Sequence, residues 1–184
     1  VSPVGEVYVT SIHWCVGIRR AAPGSTELRP VLSCDHSGQR VGRLGDLAFD
    51  GAGGLWLADR DFRRISRVSL SSSVLENTLV TVAGSTPPGF SGDGGPAYAA
   101  GFYEPWSVAR DLRGNLYIGD TPRNQRIRRI DAQSSVIQTL ATDMRAAGLT
   151  VSVAGVLYAT DYWNHKVWAI DLNTGTRRIV AGTG

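Results

Sequence analysis

One short segment occurs four times along the chain, and this repetition limits the possible folds more than any other feature of the sequence. Its best copy, residues 114–120, reads Gly-Asn-Leu-Tyr-Ile-Gly-Asp. Two copies are close to it: Gly-Gly-Leu-Trp-Leu-Ala-Asp at 53–59 and Gly-Val-Leu-Tyr-Ala-Thr-Asp at 155–161. A weaker copy, Gly-Glu-Val-Tyr-Val-Thr-Ser, occupies residues 5–11. Because repeated units bury their apolar faces against one another, the repeat indicates a fold assembled from similar modules.

The spacing of the copies predicts what each module is. A unit of about 40–50 residues fits a four-stranded blade of a β-propeller, and the longest interval contains a glycine-rich insert at 85–101. We therefore predict an all-β fold, a β-propeller of four-stranded antiparallel blades. The blades lie at about 1–40, which is partial and lacks a recognisable opening strand, and at 41–84, 102–142 and 146–184. The chain begins within a unit, without methionine, and ends where an insert would begin, so we expect a segment of a larger propeller.

Turn residues divide each unit into short strands. In the third unit we predict strands at 106–110, 116–119, 126–130 and 136–141. The second unit gives 46–49, 55–58, 65–70 and 79–83, and the fourth gives 149–153, 157–160, 166–172 and 176–181. No stretch has a helical period, and residues 95–102 are expected to form one helical turn at most.

Charge and composition exclude some classes of protein and leave others open. Hydrophobic residues make up 42% of the 184 residues, and no apolar run approaches the length of a membrane span, so we expect no membrane insertion. The net charge is +3, and all basic residues except Lys166 are arginines. These arginines either pair with carboxylates along the strands or form a surface for an anion or a nucleic acid such as RNA. Cys15 and Cys34 either form a disulfide or are free buried thiols.

An acid and a base recur in each well-preserved unit. The acid follows the second strand and the base begins the third, with an asparagine (Asn124 or Asn164) between them in two units. The pairs are Asp59 with Arg64, Asp120 with Arg126, and Asp161 with Lys166. An aspartate at a strand end accepts backbone N–H groups in the turn, and the base reaches back to it. A catalytic pair has a unique environment, whereas these pairs repeat, so we interpret them as structural.

The same residues resemble the NHL repeat, whose units contain Pro-x-Gly-Val-Ala-x-Asp, Gly-Asn-Leu-Tyr-Ile-Ala-Asp and Asn-x-Arg-Ile. The best match begins with Pro-Trp-Ser-Val-Ala-Arg-Asp at 105–111 and continues to Asp131. Thr-Val-Ala-Gly at 81–84, followed by residues 89–97, is similar to a linker common between such repeats. The first unit departs from the pattern at Ser11, Cys15 and Gly17. The resemblance implies a β-propeller, most often six-bladed, used mainly for binding proteins or RNA; a few related propellers are lyases or lactonases.

Alternating strand direction predicts where a ligand would bind. The turn between the second and third strands opens on the same face as the link to the next blade, and the insert at 85–101 lies there too. We therefore predict a binding face formed by Arg60, Phe62, Arg123, Asn124, Tyr162, Trp163 and His165. Residues 12–14 join it if the first unit keeps register. The alternative is that Phe62 and Trp163 fill gaps between blades.

Motifs for catalysis are not recognisable in the sequence. The histidines, His13, His36 and His165, are scattered, and neither a nucleophile motif nor a consistent set of metal ligands is recognisable. Residues 91–95 are expected to be a flexible surface turn rather than a phosphate or calcium loop.

We therefore expect a non-enzymatic scaffold that binds a protein or peptide, without a cofactor or a metal. A second copy or missing blades would complete the ring. The alternatives are RNA binding through an arginine-rich face and a metal-dependent enzyme similar to the propeller lyases or lactonases.

Overall fold

The computed structural model describes residues 5–10, 17–32, 41–70, 77–84 and 87–183. Cys15, Cys34, His13, His36 and the tip of the first unit at residues 12–14 lie outside these ranges. The described chain forms β-strands and a 3₁₀ turn at Ala97–Ala99. No helix in these ranges is long and apolar enough to cross a membrane.

The strands form four antiparallel sheets in chain order, which confirms the predicted all-β class. The first sheet contains β1 (Val7–Thr10), β2 (Ile18–Ala21) and β3 (Arg29–Leu32). The second contains β4 (Leu44–Phe49), β5 (Gly54–Asp59), β6 (Arg64–Ser69) and β7 (Thr78–Ala83). The third contains β8 (Pro105–Arg110), β9 (Leu116–Asp120), β10 (Arg126–Ile130) and β11 (Ile137–Thr142). The fourth contains β12 (Ala146–Val151), β13 (Val156–Asp161), β14 (Lys166–Asp171) and β15 (Arg177–Ala181). Every predicted strand overlaps one of these, and in the third sheet the ends agree within one residue.

β-bulges recur at equivalent positions and fix the correspondence between the sheets. Each four-stranded sheet has a register shift near the start of its first strand and another between its third and fourth strands. In the first sheet, the shift between β2 and β3 at Ile18/Arg19 matches the second of these. Strands β1, β2 and β3 therefore correspond to the second, third and fourth strands of a unit. The described residues contain no first strand for this unit.

The sheets pack face to face around a common axis. β4 packs against β8, and β8 against β12, so the first strands lie nearest the axis and the fourth strands at the periphery. Successive side chains point to opposite faces of a strand, and in the second and third sheets both faces are covered. In β5, Leu55 and Leu57 belong to the core shared with the first sheet, whereas Trp56 and Ala58 pack in the core shared with the third. This two-sided burial explains why residues 55–58 of β5 form a continuous apolar run.

Residues 91–101 of the insert between the second and third sheets are bound to the third sheet, which corrects the expectation of a flexible turn at 91–95. The fully buried Arg128 of β10 donates to the carbonyls of Gly101 and Ser91 (both 2.9 Å) and to the Asp93 carboxylate at 2.7 Å. The N–H of Gly94 donates to Ile137 O, and that of Ile137 to Gly95 O. The insert thereby covers the outer edge of β11, where an uncovered strand would present unpaired backbone groups.

Candidate interaction face

The turns that join the second and third strands of the last three units lie against the segment that leads into the first strand of the same unit. We call this surface the turn face; it comprises the turns 60–63, 121–125 and 162–165 and the lead-in segments 41–43, 102–104 and 143–145. The same backbone hydrogen bond recurs in each unit: Arg60 N to Arg43 O, Thr121 N to Glu104 O, and Tyr162 N to Arg145 O. The first turn also contacts the next unit through an ion pair between Arg60 and Glu104 (2.8 Å), and Met144 N donates to Gln125 O (3.1 Å). The three turns therefore form one continuous surface.

The repeated aspartates hold the turn face together. Asp59, Asp120 and Asp161 are almost completely buried, with 1%, 0% and 2% of their surface exposed. Each accepts backbone N–H groups from its lead-in segment: Gly42 for Asp59 (3.2 Å), Tyr103 and Glu104 for Asp120 (3.0 and 2.9 Å), and Arg145 for Asp161 (3.4 Å). Sequence reasoning missed these donors because a backbone N–H has no residue-type signature. The aspartates therefore close each unit onto its own first strand.

Burial dominates the acidity of two of these carboxyls. It raises the pKa of Asp59 above its usual value, although hydrogen bonds from Phe62 and Gly42 and the nearby Arg64 act in the opposite direction. It likewise raises the pKa of Asp120, against hydrogen bonds from Asn124, Glu104 and Tyr103. Desolvation thus outweighs the hydrogen bonds at both sites.

Only part of the predicted acid–base pairing is observed. Each acid lies directly opposite its base across the second and third strands. The Nε of Arg64 lies 3.4 Å from the Asp59 carboxylate. Within the described residues, no ion pair joins Asp120 to Arg126 or Asp161 to Lys166.

The turn residue two positions before the base explains the difference. In the third and fourth units this residue is an asparagine, and the side-chain amides of Asn124 and Asn164 donate to Asp120 and Asp161 at 2.5 and 2.8 Å. Phe62 occupies the equivalent position in the second unit and offers only its backbone N–H to Asp59, at 3.2 Å. An acceptor atom therefore remains available to Arg64.

His165 has a conformational role in its turn. It adopts a positive φ of 52°, and the equivalent residues Arg63 and Gln125 have φ values of 54° and 47°. The left-handed conformation therefore belongs to the turn and recurs with it. Its imidazole is solvent-exposed.

Arginines stack on aromatic rings across the turn face. The distances from the guanidinium carbon to the ring centroid are 4.0 Å for Arg60 on Trp106, 4.8 Å for Arg64 on Phe62, 5.0 Å for Arg123 on Tyr103, 3.7 Å for Arg126 on Phe90, and 4.4 Å for Arg145 on Trp163. Sequence reasoning placed Phe90 on the face only as part of the insert, and it did not name Tyr103, Trp106 or Arg145. The spacing of these three along the chain carries no regular signal, because they come from the lead-in segments and a first strand.

The predicted binding residues divide into a framework group and an exposed group. Arg60 has a structural role, because its side chain is only 18% exposed, forms an ion pair with Glu104 and stacks on Trp106. Asn124 is half-buried and bound to Asp120. The exposed group consists of Phe62, Arg123, Tyr162, Trp163 and His165. Phe62, 45% exposed, and Trp163, 64% exposed, lie on the surface rather than in gaps between blades, which corrects the alternative interpretation.

A cleft of about 320 Å³ lies on the opposite side, between the third and fourth sheets. The Tyr117 hydroxyl donates to Asp111 there at 3.0 Å, and burial together with the Asp111 charge raises the pKa of Tyr117 to about 12. Asp111 also accepts from the backbone N–H and the side-chain amide of Asn115. Its carboxylate is therefore occupied by the protein itself.

Ligands for a metal ion are not clustered in the part of the chain that the structure describes. Within those ranges, no three histidine, cysteine, aspartate or glutamate side chains lie close enough together to hold one.

Comparisons with known proteins identify the fold. No protein-family model matches the chain, and no curated protein matches it either. Among solved structures, it is similar to one from the crystal structure of a nidogen/laminin complex, with 18% identity and a TM-score of 0.67 over 96% of this chain and 62% of that one. It is also similar to a protein of unknown function from Bacteroides thetaiotaomicron, with 15% identity and a TM-score of 0.72 over 89% and 43%. A streptogramin B lyase matches with 16% identity and a TM-score of 0.62 over 97% and 51%.

These three structures are six-bladed β-propellers. At such low identity the likeness bears on the fold and not on the activity. This chain spans between 43% and 62% of the length of these three structures. The predicted β-propeller is confirmed, and the chain forms a partial one.

Proposed function

We propose that this chain is a non-enzymatic scaffold that binds a protein or peptide partner on the turn face. The observation that carries the proposal is the exposure of Tyr162 and Trp163, whose surfaces are 65% and 64% accessible. Arg145 stacks on Trp163 and belongs to the adjoining lead-in segment. Aromatic and arginine side chains are the types that contribute most to binding energy at protein interfaces.

The arrangement of the repeated carboxylates favours a scaffold over an enzyme. Asp59, Asp120 and Asp161 are all buried and all bind backbone N–H groups of a lead-in segment. One structural role accounts for all three. The exposed residues that differ between the units are then the ones that distinguish one partner from another.

Selection from a peptide library tests this proposal with an unidentified partner. A displayed random-peptide library is panned on the chain, and the affinities of enriched peptides are measured for two double variants. Tyr162→Ala with Trp163→Ala is expected to weaken binding by about tenfold or more, because it removes the exposed aromatic anchors. Leu112→Ala with Val153→Ala, which alters exposed apolar residues beside the opposite cleft, is the matched control. Enriched peptides that respond equally to both variants would contradict the proposal.

We further propose that the open sides of the first and fourth sheets pack against further blades or a second copy. Tyr8 of β1 points toward the second sheet and packs edge-on against Phe49, with 5.3 Å between ring centroids. Its neighbours Val7 and Val9 point the other way and are 44% and 37% exposed. At the other end, β15 is exposed along its whole length. Exposed apolar strand surface of this kind is typical of an interface.

A further inference from the structure

Three arginines of the third and fourth units are held in place without a carboxylate partner. Arg123 stacks on Tyr103, Arg126 on Phe90, and Arg145 on Trp163. Within the described ranges, none of the three forms an ion pair. In the second unit, Arg43 pairs with Asp61 at 2.8 Å and Arg60 with Glu104 at 2.8 Å, whereas Arg63 has neither an ion pair nor a ring to stack on within the described ranges. Arginines of this surface that stack on a ring and lack an ion pair therefore lie, within those ranges, in the third and fourth units.

These arginines follow one path across the surface. The third-unit turn carries Arg123 and is followed directly by Arg126 at the start of β10. The hydrogen bond from Met144 N to Gln125 O joins this turn to the lead-in segment that carries Arg145. Trp163 then continues the path into the fourth-unit turn.

The carboxylates nearby lower the positive charge of this path, but within the described ranges none of them forms an ion pair with its three arginines. Asp120 and Asp161 are buried and already accept hydrogen bonds from backbone and asparagine N–H groups. Asp143 is exposed and accepts a hydrogen bond from the Thr142 hydroxyl. Lys166 adds another cation beside the fourth-unit turn. An excess of positive charge therefore remains.

The stacking geometry indicates which kind of anion fits. A guanidinium group that lies on a ring can still donate along its N–H edges, which match the two oxygens of a carboxylate. Arg126 donates its Nε–H to the Asn124 carbonyl at 3.0 Å, so its terminal N–H groups are the ones available to a partner. Stacking also holds the arginine in place, so less side-chain entropy is lost on binding. Single-stranded nucleic acids bind by stacking bases on aromatic faces, but here an arginine already covers one face of Phe90, Tyr103 and Trp163.

We infer that the partner presents an acidic, extended peptide segment whose carboxylates bind Arg123, Arg126 and Arg145 while an apolar side chain packs against Tyr162 and Trp163. This inference rests on the proposed peptide-binding function and adds the chemical class of the partner. A run of glutamate or aspartate residues interrupted by a leucine or an aromatic residue has the required chemistry. Salt weakens such binding, because the charge pairs lie at the surface.

Three fluorescent probes test the inference by anisotropy on the whole chain. The first is a glutamate peptide of about eight residues with a central leucine, the second is the same peptide with every glutamate replaced by glutamine, and the third is an oligouridine of similar length. The acidic peptide is expected to bind at least about tenfold more tightly than the other two. Arg123→Gln combined with Arg145→Gln is expected to remove this preference. Arg177→Gln combined with Arg178→Gln, on the exposed β15, is the charge-matched control and should leave it unchanged. An unchanged thermal unfolding midpoint of each variant confirms that the fold is intact.

The outcomes separate this inference from the function on which it rests. Equal binding of the acidic and neutral peptides, with no effect of the Arg123 and Arg145 substitutions, would overturn the acidic class and leave peptide binding in place. Preference for the oligouridine would overturn both. If the acidic peptide does not bind while library-selected peptides do, the acidic inference alone is wrong.

Discussion

In each of the last three units, one buried aspartate joins the turn after the second strand to the segment that leads into the first strand. Asp120 accepts the N–H groups of Tyr103 and Glu104 and the side-chain amide of Asn124, all within 3.0 Å. Its repetition identified it as structural from the sequence. The donors were not predictable, because glycine, tyrosine, glutamate and arginine supply the same N–H group in different units. The aspartate recurs because its side chain accepts the hydrogen bonds. The donor positions vary in residue type because only their backbone N–H groups take part.

Asp120→Ala should therefore be strongly destabilising. The change leaves buried N–H donors unpaired, and each costs about 1–3 kcal/mol, so we expect a loss of about 2–5 kcal/mol in the free energy of unfolding. Urea denaturation followed by circular dichroism measures it. Asp143→Ala, at an exposed carboxylate in the next lead-in segment, should change the free energy by less than about 1 kcal/mol. A loss below about 1 kcal/mol for Asp120→Ala would contradict the assigned role.

Among the elements, the insert differs most from the sequence-based expectation. The strands around it were predictable because short apolar runs are separated by turn residues. In the third sheet, the predicted strand ends agree with the observed ends within one residue. The sequence predicts a flexible turn at 91–95, because three of these five residues are glycines. Its anchor, Arg128, lies in a strand among other arginines, and only the fold shows that its side chain is fully buried. Distant pairing of this kind leaves no local signal.

The free energy of unfolding at acidic pH tests whether the contact between Asp93 and Arg128 holds the insert in place. Burial alone would raise the pKa of Asp93, but hydrogen bonds from Thr139 and Arg128 and the Arg128 charge outweigh it, so the pKa lies below its ordinary value of 3.8. The carboxylate's contribution to stability is therefore complete above that value and is lost as the pH falls through the lower folded-state pKa. We expect the difference in unfolding free energy between the unmodified chain and Asp93→Asn to be constant above about pH 5 and to shrink below about pH 4. Urea titrations across this range measure this difference. If the difference in unfolding free energy grew as the pH fell, the assigned role of the Asp93–Arg128 contact would be contradicted.

At the scale of the whole molecule, the first and fourth sheets each have one open side among the residues that the structure describes. Exposed valines on β1 and the exposed β15 give the isolated chain surfaces suited to self-association. Sedimentation velocity should therefore show concentration-dependent association. Val9→Glu should shift the chain toward monomer, because it places a charge on the open side of β1, whereas Val153→Glu, in an exposed turn, should not. A monomer at all concentrations would contradict the proposed packing against a second copy.

The central claim is that a partner binds on the turn face through the exposed residues that differ from one unit to the next. Amide chemical-shift mapping of the ¹⁵N-labelled chain with the acidic leucine peptide tests it most directly. The perturbed amides should cluster at 121–126, 143–145 and 161–166, with little change in the turns of the opposite side at 111–115, 152–155 and 171–176. Perturbations confined to the opposite side, or spread evenly over the sheets, would contradict the account.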